Sequence, residues 1–184
     1  EYIMSNGRYF WGVKENFIES GTMYVPIRAI ASAFGMTVSW NDGEFAAYVS
    51  RGDGTVTQWY EYYKGDEVYW LSKIIEAESR GEPMRGKIAV GNVVLNRVRS
   101  PEFPDTIYSV IFDRKYGVQF SPVADGSIGR DASAESVIAA KLCLEGYSVS
   151  DSVLYFINAS AAQDFWVPRH RPYVTTIGNH DFYA

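Results

Sequence analysis

The sequence predicts an α+β chain in two parts: a small α+β module over residues 1–60, then a mainly helical domain over residues 66–184 carrying one short β-hairpin. Three observations predict it. Short alternating apolar runs punctuated by Gly43 and Gly54 fill the first sixty residues. A junction rich in aromatics and charge runs from Trp59 to Asp66. Beyond it, apolar residues recur with helical period in three long segments. At 184 residues, such a chain can hide roughly 70% of its unfolded surface, so each part can own a core.

In the first module, Val25-Pro26-Ile27 opens a helix with Pro in its first turn. Ile27, Ile30, Ala31 and Phe34 follow on one face, and Gly35 closes it. Met36, Val38 and Trp40 alternate with polar residues, Asn41-Asp42-Gly43 makes a turn, and Phe45, Ala47 and Val49 alternate again, which predicts a β-hairpin. Arg51-Gly52-Asp53 matches an adhesion tripeptide, but in a Gly-rich loop it reads as a plain turn. In the second part, helices are predicted over about 67–79, 83–99 and 134–144, the last ended by Gly146. Between the second and third, Val118-Gln119-Phe120-Ser121 has the period of a short strand and is expected in the hairpin. The tail from Leu154 to Ala184 is expected to be irregular, with at most one more short helix.

Composition excludes several classes. An apolar fraction of 47% is that of ordinary globular chains and excludes disorder. Seventeen Lys and Arg against twenty-two Asp and Glu give a net charge of −5 with no basic run, which excludes the electrostatic footprint of nucleic-acid binding. No stretch approaches the ~18 uninterrupted apolar residues of a membrane span. The first residue is Glu1, with no initiator Met or apolar signal segment, which predicts a trimmed mature chain. A single cysteine, Cys143, excludes an internal disulfide, and two histidines, His170 and His180, leave little for a metal site. No metal or cofactor is expected. The aromatic content of 16% suits rings stacked on sugars as well as rings filling a core.

Glu78 is the most informative residue. On a wheel of ~100° per residue, Val68, Leu71, Ile75 and Glu78 share one face, while Glu76 falls nearly opposite, among polar positions. A carboxylate on an apolar face is expensive unless paired or used, and burial raises its pKa so that it holds a proton near neutrality. A general acid needs that property. The competing reading is a structural carboxylate satisfied by Arg80, Arg97 or backbone amides. On the next helix, Asn92 and Asn96 share a face at i, i+4. Asn96 is the better candidate for holding Glu78 or a ligand, and Asn92 reads equally as a satisfied buried amide.

The stretch Ala77-Glu78-Ser79-Arg80-Gly81-Glu82-Pro83, with Gly86-Lys87-Ile88-Ala89-Val90 and Leu95-Asn96-Arg97-Val98, resembles the cell wall hydrolase family of the spore cortex-lytic type. Phe103-Pro104-Asp105-Thr106-Ile107, Gln119-Phe120-Ser121, Leu154-Tyr155-Phe156 and Gly178-Asn179-His180-Asp181-Phe182-Tyr183 continue the match in order. The resemblance implies a lysozyme-like, lytic transglycosylase-related fold, with Glu78 at the end of the first helix as the catalytic acid. It implies cleavage of the β-1,4 bond between N-acetylmuramic acid and N-acetylglucosamine in peptidoglycan, outside the cytoplasm. Ser79 stands where the family usually has Ala, and Asp105 where Asn is more usual. The Glu-Ser pair is similar to the catalytic dipeptide of the wider lytic transglycosylase group. The first module, through Val25-Pro26-Ile27-Arg28-Ala29 and Gly35-Met36-Thr37-Val38-Ser39-Trp40, resembles the copper amine oxidase N-terminal-like domain. That implies a stalk or cell-wall attachment unit and no copper.

A hydrolase of the usual sort needs a second carboxylate, and Glu82 is the nearest by sequence, although before Pro83 it also reads as a helix-start acid. Gln119, Phe120 and Ser121 are expected along the sugar groove, with Tyr155 supplying a hydroxyl, Trp166 a stacking face and His180 a groove-floor contact. Three rivals stay open. They are a zinc amidase built on His170 and His180, a cysteine peptidase built on Cys143, and a wall-binding protein without chemistry.

Overall fold

The computed structural model describes residues 2–11, 17–52, 54–115, 117–158 and 166–184. The chain divides into two compact units, Glu1–Lys64 and Gly65–Ala184.

Among the described residues, the first unit holds three antiparallel two-stranded hairpins and two helices. They are β1 (Ile3–Ser5) with β2 (Arg8–Phe10), β3 (Phe17–Glu19) with β4 (Thr22–Tyr24), and β5 (Thr37–Asn41) with β6 (Ala46–Ser50), together with α1 (Ile27–Ala33) and α2 (Trp59–Tyr62). The expected helix forms after Pro26, and Gly35 follows at φ 66°. Its buried face is not the one predicted. Ala29, Ala31 and Ala33 are buried, and Ala29 and Ala33 pack with Phe10, Ile3 and Val56, whereas Ile27 and Phe34 are exposed. Only a small side chain lets so short a helix lie close to the β1–β2 hairpin. The β5–β6 hairpin pairs Trp40 with Ala47 and Val38 with Val49. Phe45 leaves the strand for the turn at φ 50°, where Asn41 Oδ1 accepts from the amides of Gly43 and Glu44. Of the Arg51-Gly52-Asp53 tripeptide, Gly52 lies against the Gly35 carbonyl, and Asp53 is outside the described residues.

The second unit is built on three helices that pack on one another pairwise: α3 (Gly65–Ser79), α4 (Met84–Arg99) and α7 (Ala134–Leu144). Short helices α5 (Ile107–Ile111) and α6 (Ser121–Asp125) lie between α4 and α7. Leu71, Ile74, Ile75, Ile88, Val90, Val93, Val94 and Leu142 are fully buried. Removing each such side chain from water is worth roughly 1.5–3 kcal/mol. Gly91 sits against the Cys143 thiol and Ile75, so a Cβ there would push α4 off α7 and α3. Burial raises the pKa of the Cys143 thiol, which is inert packing rather than a nucleophile.

Two expectations fail here. Val118 to Ser121 form no strand; the chain bends and enters α6, because Pro122 presets φ and lacks the N–H a ladder needs. The hairpin lies instead in the tail expected to be irregular. There β7 (Tyr155–Asn158), β8 (Tyr173–Ile177) and β9 (His180–Tyr183) form an antiparallel sheet in the order β7-β9-β8, with α8 (Trp166–His170) between β7 and β8. Gly178-Asn179 between Val, Thr, Ile, Phe and Tyr is the hairpin signal that reveals it. Gly178 adopts φ 60°, and any Cβ there would run into the Glu82 carboxylate.

The wheel also misplaces Glu76. Its predicted polar face is covered by α7, and Glu76 is buried, accepting from Ser133 Oγ at 2.6 Å, Ser136 Oγ at 2.8 Å and the Ser133 amide at 3.1 Å. Burial would raise this carboxyl, but those hydrogen bonds and Arg80 outweigh it and hold the pKa below the ordinary value.

Candidate active site

Glu78 stands on the last turn of α3, half-buried in the wall of a groove of about 1270 Å³. Among the described residues it makes no hydrogen bond, which removes Arg80 and the backbone amides as its structural partners; Arg80 pairs with Glu76 at 3.3 Å. Burial pushes the Glu78 carboxyl up to about 7, the charge of Asp125 adds to this, and the Arg97 guanidinium opposes it. A carboxyl so poised exchanges a proton with a reacting oxygen near neutrality.

The turn after α3 is held by buried groups. Ser79 Oγ donates to the Ile75 carbonyl at 2.6 Å. Lys87 reaches back from α4 to donate to the carbonyls of Arg80 at 3.0 Å and Glu82 at 2.6 Å. These bonds fix the end of α3 and with it the position of Glu78.

Among the residues expected from the sequence, Glu78, Gln119, Phe120, Ser121, Tyr155, Trp166 and His180 all line the groove. Their sources are the α3 end, the bend before α6, strand β7, helix α8 and strand β9. Trp166 is 46% exposed and stacks on His170 at 4.8 Å. His180 is buried beneath Phe156, and desolvation depresses its pKa, against the charges of Glu82 and Asp181. Glu82 and Asn96 lie elsewhere. The Glu82 carboxylate accepts from the Asn179 amide at 3.0 Å and from Asn179 Nδ2 at 2.9 Å, with His180 Nδ1 at 3.8 Å. Asn96 Nδ2 donates to the carbonyls of Ser150 and Val153 at 3.0 and 2.9 Å, and Asn92 pins the same loop through Tyr147 and Val149. Asn96 is thus a loop anchor, not a ligand contact. Asn96→Ala is expected to cost about 1–3 kcal/mol by stranding two carbonyls while leaving KM unchanged. Urea denaturation beside steady-state kinetics checks this, and a raised KM at undiminished stability would contradict it.

Five charged residues that sequence reasoning did not place in the groove also line it: Arg97, Glu102, Asp113, Lys115 and Arg171. For Arg97 a signal existed, since an ionisable side chain on an otherwise apolar helix is the argument that singled out Glu78. The other four lie in loops or short turns, where no periodicity speaks.

A half-buried acid at the end of one helix thus faces aromatic and polar groups brought to the same groove by a bend, a sheet and a short helix. A sequence model of the Cell Wall Hydrolase family matches residues 81–183, just beyond Glu78, and the chain belongs to that family. A model of the copper amine oxidase N-terminal domain matches residues 4–72. The spore cortex-lytic enzyme of Oceanobacillus iheyensis is 34% identical over 120 residues, 65% of this chain and 42% of that protein. That of Bacillus subtilis is 32% identical over the same share of this chain and 38% of its own length. The chain thus matches about two fifths of these relatives. The catalytic domain of the germination-specific lytic transglycosylase SleB from Bacillus anthracis superposes with a TM-score of 0.60 at 34% identity, over 66% of this chain and 97% of that domain. The catalytic domain of Bacillus cereus SleB superposes at 0.59, over 66% and 92%.

Proposed function

We propose that this chain cleaves the β-1,4 bond between N-acetylmuramic acid and N-acetylglucosamine in peptidoglycan as a lytic transglycosylase, with Glu78 as its acid and then its base. The observation that carries the reading is Glu78 itself: half-buried in the groove, free of hydrogen bonds among the described residues, and poised at about 7. Its proton passes to the glycosidic oxygen as the bond to the muramoyl C1 breaks. The muramoyl C6 hydroxyl then attacks C1, its proton returns to Glu78, and a 1,6-anhydro end results. One carboxyl suffices for both steps, and no metal or cofactor enters. The engagement of Glu82 with Asn179 supports a structural role for it rather than that of a second acid.

The similarity to spore cortex-lytic enzymes and to a germination-specific lytic transglycosylase supports peptidoglycan of the spore cortex as the substrate and a location outside the cytoplasm. The copper amine oxidase N-terminal-like module serves as an attachment unit in this reading.

Mass spectrometry of fragments released from purified peptidoglycan tests it. Anhydro-muramic ends from the wild type, absent with Glu78→Gln, are expected. Reducing ends would mean hydrolysis and turn attention to Asp113 and Glu102, which share the groove. Free peptides with intact glycan would mean an amidase, and no fragments at all a binding protein. The pH profile gives a second check. Asp125 raises the Glu78 carboxyl by its charge, so Asp125→Asn should lower it and move the alkaline limb of kcat/KM to lower pH. An unmoved limb would detach that limb from Glu78.

A further inference from the structure

Arg97 is 4% exposed, and its Nε donates to the Leu154 carbonyl at 2.8 Å, but its Nη1 is buried without a hydrogen-bond partner among the described residues. The rings of Phe103, Phe120 and Tyr155 surround its guanidinium at 5.0, 5.1 and 5.3 Å. Arg171 approaches the same Tyr155 ring at 4.6 Å and donates from Nη2 to the Tyr155 hydroxyl at 2.8 Å. Its Nε is likewise buried and unpaired. Two cations thus flank one ring in the groove wall, each keeping an N–H in reserve. The groove acids Glu78 and Asp113 act on Arg97 through their charge, but neither they nor Glu102 come within ion-pair distance of either guanidinium among the described residues.

A buried, unpaired cationic N–H is costly and needs an explanation. Glycosidic cleavage offers none at the sugar ring, because its transition state is oxocarbenium-like and carries positive charge. Planar guanidinium donors match a carboxylate. We propose that Arg97 and Arg171 form a carboxylate-binding subsite of the groove that reads the acidic substituent of the muramoyl residue. This rests on the glycan-cleaving reading. The carboxylate belongs either to a bare lactyl group or to a stem peptide, and the chemistry is shared.

The test uses the full chain carrying Glu78→Gln, so that binding is read without turnover. Calorimetry compares soluble glycan strands bearing stem peptides, the same strands with carboxylates capped as methylamides, and peptide-stripped strands with lactyl carboxylates free or capped. Capping is expected to weaken binding by about tenfold or more, the loss of a charge-assisted hydrogen bond. Adding Arg171→Gln should weaken uncapped strands equally and abolish the response to capping, and Arg171→Lys should restore part of it. Arg171 is only partly buried, so this substitution avoids the folding risk at Arg97. In the otherwise wild-type enzyme, Arg171→Gln should raise KM and spare kcat. A capping effect in stripped strands assigns the lactyl source, and one confined to peptide-bearing strands the stem source. Strands that bind equally whether capped or not overturn the subsite alone. Failure to bind any strand overturns the glycan reading with it.

Discussion

Glu78→Gln is expected to lower turnover on peptidoglycan by roughly 10²–10⁴-fold, the usual contribution of a positioned general acid, and to make the folded protein more stable at alkaline pH. Both follow from one fact. The carboxyl lies half-buried in the groove wall without a hydrogen bond among the described residues, and burial moves its pKa from 4.5 to about 7. A carboxyl whose folded pKa is raised binds its proton more tightly folded than unfolded. Its contribution to stability is therefore intact below about pH 4.5 and is lost as pH rises to about 7. Above that window the ionised group costs on the order of 2–3 kcal/mol. Glutamine keeps the shape and carries no charge, so the mutant should match the wild type near pH 4 and exceed it at pH 8. Urea midpoints at the two pH values, beside fragment release, check the prediction. A stability difference independent of pH would contradict the pKa assignment, and retained turnover would remove Glu78 from catalysis.

Glu82→Ala, four residues on, is expected to destabilise the second unit by about 3 kcal/mol at pH 7 by stranding buried donors. The carboxylate is 8% exposed and receives both the backbone and the side-chain N–H of Asn179. Burial would raise its pKa, but those two bonds, with the charges of His180 and Lys87, outweigh burial and hold it below 4.5. The pH signature is therefore the reverse of Glu78's. The stabilisation is present above about pH 4.5 and disappears as pH falls through the folded-state pKa. The gap between Glu82→Ala and wild type should close in acid, where that for Glu78→Gln opens in alkali. Denaturation between pH 3 and 8 reads both. If Glu82→Ala instead retained full stability and lost turnover, the carboxylate would be chemical rather than structural.

These neighbouring acids also mark how far local pattern reaches. Helices α3, α4 and α7 are legible because a helix repeats within one turn, and an apolar stripe names the face it buries. Glu78 was legible by the same rule. The rule fails for Glu76, since a helix covered on two sides buries a second face, and the Ser133 and Ser136 hydroxyls, 57 and 60 residues away, with the Ser133 amide and Arg80, stabilise the carboxylate there.

The sequence by itself therefore determined the α+β character of the chain, its helical core and the acid at the end of α3, each fixed by spacing within a few residues. Tertiary structure decided the rest. It drew Glu82 to Asn179, 97 residues on, and Asn96 to Val153, 57 residues on. It also gathered Gln119, Tyr155, Trp166, His180 and the two guanidiniums onto one groove wall. The physical reason is that a buried polar group must find a partner wherever the fold brings one within hydrogen-bond reach, and that partner's distance along the chain leaves no trace in local periodicity.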